Sequence, residues 1–169
     1  MVTPDSPHEE RFRAWVTDFR PLLFKVVHSF AGGAQDRQEL FQEMLVQLWQ
    51  SLPRFHGHCA PSTWIYRVAF NTALAWNRAA QRRQERFGPA LEWEEIAMPE
   101  RAADPRIEAL YAAIRQLPKP DGALIMMHLD GLSYREMAEV MGLSETHVGA
   151  KLTRVRARLG QLMNEHRHD

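Results

Sequence analysis

The stretch from Leu132 to Leu159, LSYREMAEVMGLSETHVGAKLTRVRARL, leaves a chain few folds to choose from. Ser133 followed three residues later by Glu136 is a capping box, and Leu132 is placed to staple onto Met137, so a helix starts here. Gly142 stops it, because glycine takes the left-handed conformation at little cost. Ser144 is then available to cap a second helix, with Leu143 and Val148 repeating the staple. In that second helix Val148, Leu152, Val155, Leu159 and Leu162 recur at steps of four and three, one buried stripe. Ala138 on the first helix is small enough for the two to cross closely. Off the stripe lie His147, Lys151, Arg154, Arg156 and Arg158, a basic face. The spacing therefore predicts a helix-turn-helix whose second helix enters the DNA major groove.

Only local charge is available to hold DNA, since 21 basic and 21 acidic side chains cancel over 169 residues. The length suits two small domains. The single cysteine, Cys59, excludes an internal disulfide, and no apolar run approaches the ~20 residues that span a bilayer. MVTPDSPHEE lacks the apolar core of a signal peptide, so a soluble, cytoplasmic protein without membrane insertion is expected.

Upstream, helical periodicity runs from Glu9 to Phe30 with Pro21 in its middle, where it should kink or split the helix, and Ala31-Gly32-Gly33 ends it. A helix over Asp36 to Ser51 follows, broadly apolar on one face and carrying Asp36, Glu39, Gln42 and Glu43 on its first two turns. The loop PRFHGHCAP holds His56, His58 and Cys59, three potential zinc ligands without an evident fourth, so no metal and no other cofactor is expected. A third helix from Ser62 to about Phe87 turns Trp64, Ile65, Val68 and Ala69 inward. Outward it shows Tyr66, Arg67, Asn71, Thr72, Trp76, Asn77 and Arg78, then Arg82, Arg83 and Arg86. Arginines interleaved with rings and amides suit single-stranded nucleic acid, in which bases stack while guanidinium groups hold phosphates. From Gly88 to Asp104 periodicity lapses in a segment with five acids, one base and two prolines, which reads as a linker. Ile107 to Leu117 is the next helix, Pro118-Lys119-Pro120 breaks it, and Gly122 to Leu129 leads back to the opening motif.

These segments, in this order, resemble the extracytoplasmic-function sigma factors, small bacterial initiation subunits of RNA polymerase. DRQELFQEMLVQLWQSLPRF with STWIYRVAFNTALAWNRAAQRR is similar to the family's second region, and DGLSYREMAEVMGLSETHVGAKLTRVRARL to its fourth. The resemblance implies an all-α protein of two small helical domains, residues 1–87 and 106–169, joined by a flexible acidic linker over 88–105. It implies no enzymatic activity. Asp36, Glu39, Leu40, Gln42, Glu43 and Trp49 would dock on the clamp helices of the polymerase's largest subunit, with the flap as a further contact. Arg67, Asn71, Thr72, Trp76, Arg78, Arg82 and Arg83 would bind and open the minus-ten element. Thr146, His147, Ala150, Lys151, Thr153, Arg154 and Arg158 would bind the minus-thirty-five element, although Gly149, Ala150 and Lys151 stand where the family often has a basic residue, Ser and Arg. The free protein is expected to be held in check by its own geometry or by a partner, an anti-sigma protein that covers apolar residues near Leu40, Leu45 and Trp49. Glu92, Glu94, Glu95, Glu100 and Asp104 around Trp93 would thread the polymerase cleft. A stand-alone helix-turn-helix regulator dimerising through its N-terminal helices is the alternative, and a small metal enzyme built on His56, His58 and Cys59 a third.

Overall fold

The computed structural model describes residues 6–87 and 104–165, which form helices and short connections. Ser6 closes a capping box with Glu9 to start α1 (Pro7–Asp18). The expected split occurs at Pro21, in the first turn of α2 (Arg20–Phe30), where a missing N–H costs nothing. Helix α3 (Ala34–Ser51) begins two residues before its expected start, on a Gly33 cap, and ends in a short 3-10 turn over Leu52–Arg54. Helix α4 runs over Pro61–Phe87. Leu22, Leu23, Val26, Val27 and Phe30 from α2, Leu40, Met44 and Leu48 from α3, and Ile65, Ala69 and Phe70 from α4 form the core of this N-terminal lobe.

The C-terminal lobe starts earlier than the sequence suggests. Asp104 and Pro105, read above as linker, are the cap and first residue of α5 (Pro105–Gln116), and the Asp104 carboxylate accepts from the Arg106 N–H at 2.9 Å. The rest of the acidic segment, with Glu92, Trp93, Glu94, Glu95 and Glu100, lies outside the described residues. Helix α6 (Lys119–Leu129) is buried without a break from Gly122 to Met127. Helix α7 (Tyr134–Met141) has the expected Ser133–Glu136 capping box and ends on Gly142 at φ 66°, ψ 35°. Helix α8 (Glu145–Glu165) opens with the Ser144 hydroxyl accepting from the His147 N–H at 3.2 Å, and all five stripe residues are buried.

The two lobes share one continuous apolar core. Helix α6 packs on α8, α5 and α7 of its own lobe and on α2 and α4 of the other, while α5 also rests on α2 and α7 on α4. Polar groups close the seam. The Asp130 carboxylate, just past α6, accepts from both the Lys25 ammonium and the Tyr66 hydroxyl. Arg67 donates to the Glu139 carbonyl at 2.6 Å, and Arg115 to the His28 carbonyl at 2.8 Å. Arg37 donates to the Ala31 carbonyl at 3.1 Å and lies 3.8 Å from the Glu108 carboxylate. Arg37 and Arg115 thus satisfy carbonyls at the negative end of the α2 dipole. Burial and the neighbouring Arg37 push the Arg115 guanidinium down from its ordinary pKa.

Candidate nucleic-acid interface

Helix α8 presents its stripe inward, so helical geometry fixes what remains outside. Thr146, His147, Ala150, Thr153, Arg154 and Arg158 are exposed, as are Arg156 and Ala157. Lys151 is different: its ammonium meets the Asp121 carboxylate of α6 at 2.7 Å and its side chain is 31% exposed. Asp121 consumes a charge that the sequence assigned to DNA. Gly149 also finds a reason, since a Cβ there would lie 3.3 Å from Cε2 of Tyr134. The exposed Tyr134 ring therefore lies over the first turns of α8, above the place where a side chain is missing.

In the N-terminal lobe α3 and α4 enclose an open groove of about 1270 Å³. Its α4 wall carries Asn71, Trp76, Arg82, Arg83 and Arg86, and its α3 wall Glu39, Glu43 and Gln47. The groove is thus basic and aromatic on one side and acidic on the other. Two residue sets that the sequence placed on separate surfaces here face each other. A nucleic-acid strand in this groove would keep its phosphates toward the arginines and away from the carboxylates. Arg78 is exposed and Arg67 half-buried.

Two expectations from helical spacing and two implied by the family resemblance meet a different arrangement. Tyr66, expected outside, is 3% exposed, stacked on Phe70 with ring centroids 5.7 Å apart, and spent on Asp130. Burial, then the Asp130 bond and charge, raise its phenol far above the ordinary range. Thr72 is 7% exposed, its hydroxyl donating to the Val68 carbonyl at 2.7 Å, and it still borders the groove. Leu40 is 0% exposed and holds α3 to the core from inside, so it offers no surface to a partner. Of the apolar patch expected near Leu40, Leu45 and Trp49, Trp49 is exposed and Leu45 half-buried; Val46 is also exposed, and the Trp49 ring meets Phe12 edge-on at 5.3 Å. Asp36, Glu39, Gln42 and Glu43 are exposed as expected.

The His56 and His58 rings lie 6.3 Å apart and Cys59 is a half-buried free thiol. Among the described residues no three His, Cys, Asp or Glu side chains form a group able to hold a metal ion, and no helix is long and apolar enough to cross a membrane.

Comparison with known proteins bears on both surfaces. Residues 15–83 match the family described as Sigma-70 region 2, and residues 107–159 that described as Sigma-70, region 4. The chain is 31% identical to the RNA polymerase sigma-H factor of Pseudomonas aeruginosa over 158 residues, 86% of this chain and 82% of that protein. It is 30% identical to the ECF RNA polymerase sigma-E factor of Escherichia coli over 161 residues, 88% of this chain and 84% of the relative. Among solved structures, the sigma factor RpoE of Bartonella quintana, in complex with the anti-sigma factor NepR, superposes with a TM-score of 0.74 at 17% identity, covering 92% of this chain and 98% of that one. CnrH, in complex with the cytosolic domain of CnrY, superposes with a TM-score of 0.64 at 21% identity over 92% and 89% of the two chains.

Proposed function

The chain belongs to the extracytoplasmic-function sigma factors, and from that membership we propose how its surfaces divide the work of starting transcription. It is an alternative sigma factor that binds core RNA polymerase and recognises promoter DNA. The match of residues 15–83 to Sigma-70 region 2 removes the reason to consider a stand-alone regulator. The polymerase supplies the chemistry; this chain supplies position and strand separation, inside the cell where the polymerase works.

In this reading residues 1–87 form the unit that meets the polymerase and the minus-ten element, and the helix-turn-helix unit meets the minus-thirty-five element. Asp36, Glu39, Gln42, Glu43 and Trp49 dock on the clamp helices of the largest subunit, and the helix-turn-helix lobe engages the flap. Asn71, Trp76, Arg78, Arg82 and Arg83 hold the opened minus-ten strand. Extruding a base costs a few kcal/mol, offset by stacking and phosphate contacts in the groove. Thr146, His147, Ala150, Thr153, Arg154 and Arg158 meet the minus-thirty-five element, with Lys151 diverted to Asp121. An anti-sigma protein is a natural antagonist, since the solved relatives RpoE and CnrH are bound by NepR and by the CnrY cytosolic domain. The acidic segment around Trp93 enters the polymerase cleft.

The observation that carries this reading is α8, which buries every apolar stripe residue and leaves a basic face outside. Transcription in vitro with core polymerase on a genomic library tests it. Discrete start sites that depend on this chain are expected, with Arg154→Ala reducing use of the upstream element. Start sites that arise equally without the chain would overturn it.

A further inference from the structure

A helix lying in the major groove reads bases with its N-terminal turns, and in α8 the second turn has little to read them with. Gly149 has no side chain, its neighbour Ala150 is exposed with only a methyl group, and Lys151 is held by Asp121 at 2.7 Å. The next exposed cation, Arg154, stands five residues from Gly149, about 7.5 Å further along the axis. Around Gly149 the groove would therefore be left unread by α8 itself.

Helix α7 supplies a group at that place. Tyr134 is its first residue and is 45% exposed. A Cβ built on Gly149 would lie 3.3 Å from Cε2 of the Tyr134 ring and 3.7 Å from Cδ2. The outer edge of the ring is thus nearer to α8 than the inner edge, so the ring leans onto the helix and carries its hydroxyl end to the level of Gly149. The backbone beneath it is held on both sides. The Ser133 hydroxyl accepts from the Glu136 N–H at 3.2 Å, the Ser133 N–H donates to the Glu136 carboxylate at 2.7 Å, and α7 packs on both α8 and α4. A larger side chain at position 149 would displace the ring, and glycine leaves it in place.

A tyrosine can meet DNA in two ways: its hydroxyl can bond a phosphate, which carries no sequence information, or its ring can pack on the apolar group of the major groove, the C5 methyl of thymine. The lean of the ring toward the reading turn of α8 favours the second. We propose that Tyr134 is a specificity-determining residue for the upstream promoter element: its ring, lodged over Gly149, takes the place of the absent α8 side chain and packs on a thymine methyl, so that one position of the element prefers thymine. This rests on the sigma-factor reading.

The test uses holoenzyme assembled from core polymerase and the full chain, transcribing a template library with the upstream element randomised, and the templates that initiate are sequenced. The parent should favour thymine at one position by roughly fourfold, the contribution of one methyl group taken out of water. Replacing that thymine by deoxyuridine, which lacks only the methyl, should cost the same factor. In Tyr134→Ala, checked for folding by circular dichroism, the preference and the deoxyuridine penalty should both vanish at that position while preferences elsewhere persist. Tyr134→Phe, which keeps the ring, should retain both. A uniform loss of affinity in Tyr134→Ala with the thymine preference intact would assign the hydroxyl to a phosphate and overturn the proposal. The deoxyuridine comparison needs no change in the protein, so a parent indifferent to the methyl of every thymine in the element overturns it even if Tyr134→Ala folds poorly. A parent that selects no upstream sequence at all would overturn the reading of α8 as the promoter-binding helix, a different failure from loss of the Tyr134 contact alone.

Discussion

Gly142 and Gly149 show how a single residue is fixed by different causes. Gly142 sits at φ 66° as the residue that ends α7, a conformation an L side chain adopts at a cost. Gly142→Ala should therefore lower stability by about 1 kcal/mol, read by urea unfolding. Gly149 lies within α8, where glycine costs ~1 kcal/mol relative to alanine, but a Cβ there would meet the Tyr134 ring at 3.3 Å. Gly149→Ala should stabilise by close to that ~1 kcal/mol in a Tyr134→Ala background and by less in the wild type. A thermal double-mutant cycle measures the difference; additive effects would mean the ring moves aside freely. Glu136 carries a pH signature. The Ser133 backbone N–H, then its hydroxyl, hold the Glu136 carboxyl below its ordinary pKa. A depressed carboxyl stabilises the fold above its unfolded pKa, and that contribution is lost as pH falls through the lower folded value. Wild type should thus exceed Glu136→Gln in melting temperature at neutral pH, and the gap should close on acidification below the usual glutamate range.

At the scale of elements, α6 is the helix that makes the seam. Its run Gly122 to Met127 is buried on every side, partly by α8 and partly by α2. A helix apolar all round needs neighbours all round, and the short C-terminal lobe covers only part of it. Helix α3 turns Glu39 and Glu43 toward α4. Glu39 and Glu43 line the same groove as Arg82 and Arg83, so reversing their charge has two opposed consequences. Glu39→Lys with Glu43→Lys should weaken association with core polymerase while tightening binding of single-stranded DNA, measured by fluorescence anisotropy at two salt concentrations. A parallel fall in both would mean that the groove does not hold the strand. For α7, Ser133→Ala should cost about 1 kcal/mol, because it removes the acceptor for the Glu136 N–H.

For the whole molecule, the shared core joins the two lobes into one compact body. Local rules in the sequence determined the helices, the Pro21 split, the capped turn at Gly142 and the α8 stripe, because each depends on residues within a few positions of one another. They also determined the family, through two motifs in order. They did not determine which side of α4 is outside at Tyr66 and Thr72, nor that Leu40 is wholly enclosed, because helical period marks a face only until a second lobe covers another one. The apolar run ALIMM in α6 was the one local sign of that second cover. Nothing in the sequence around Asp130 or Asp121 marks a partner. Their roles come from Lys25, Tyr66 and Lys151, and only the tertiary structure decided those pairings, because a charge chooses its partner by distance in space, which chain spacing does not record.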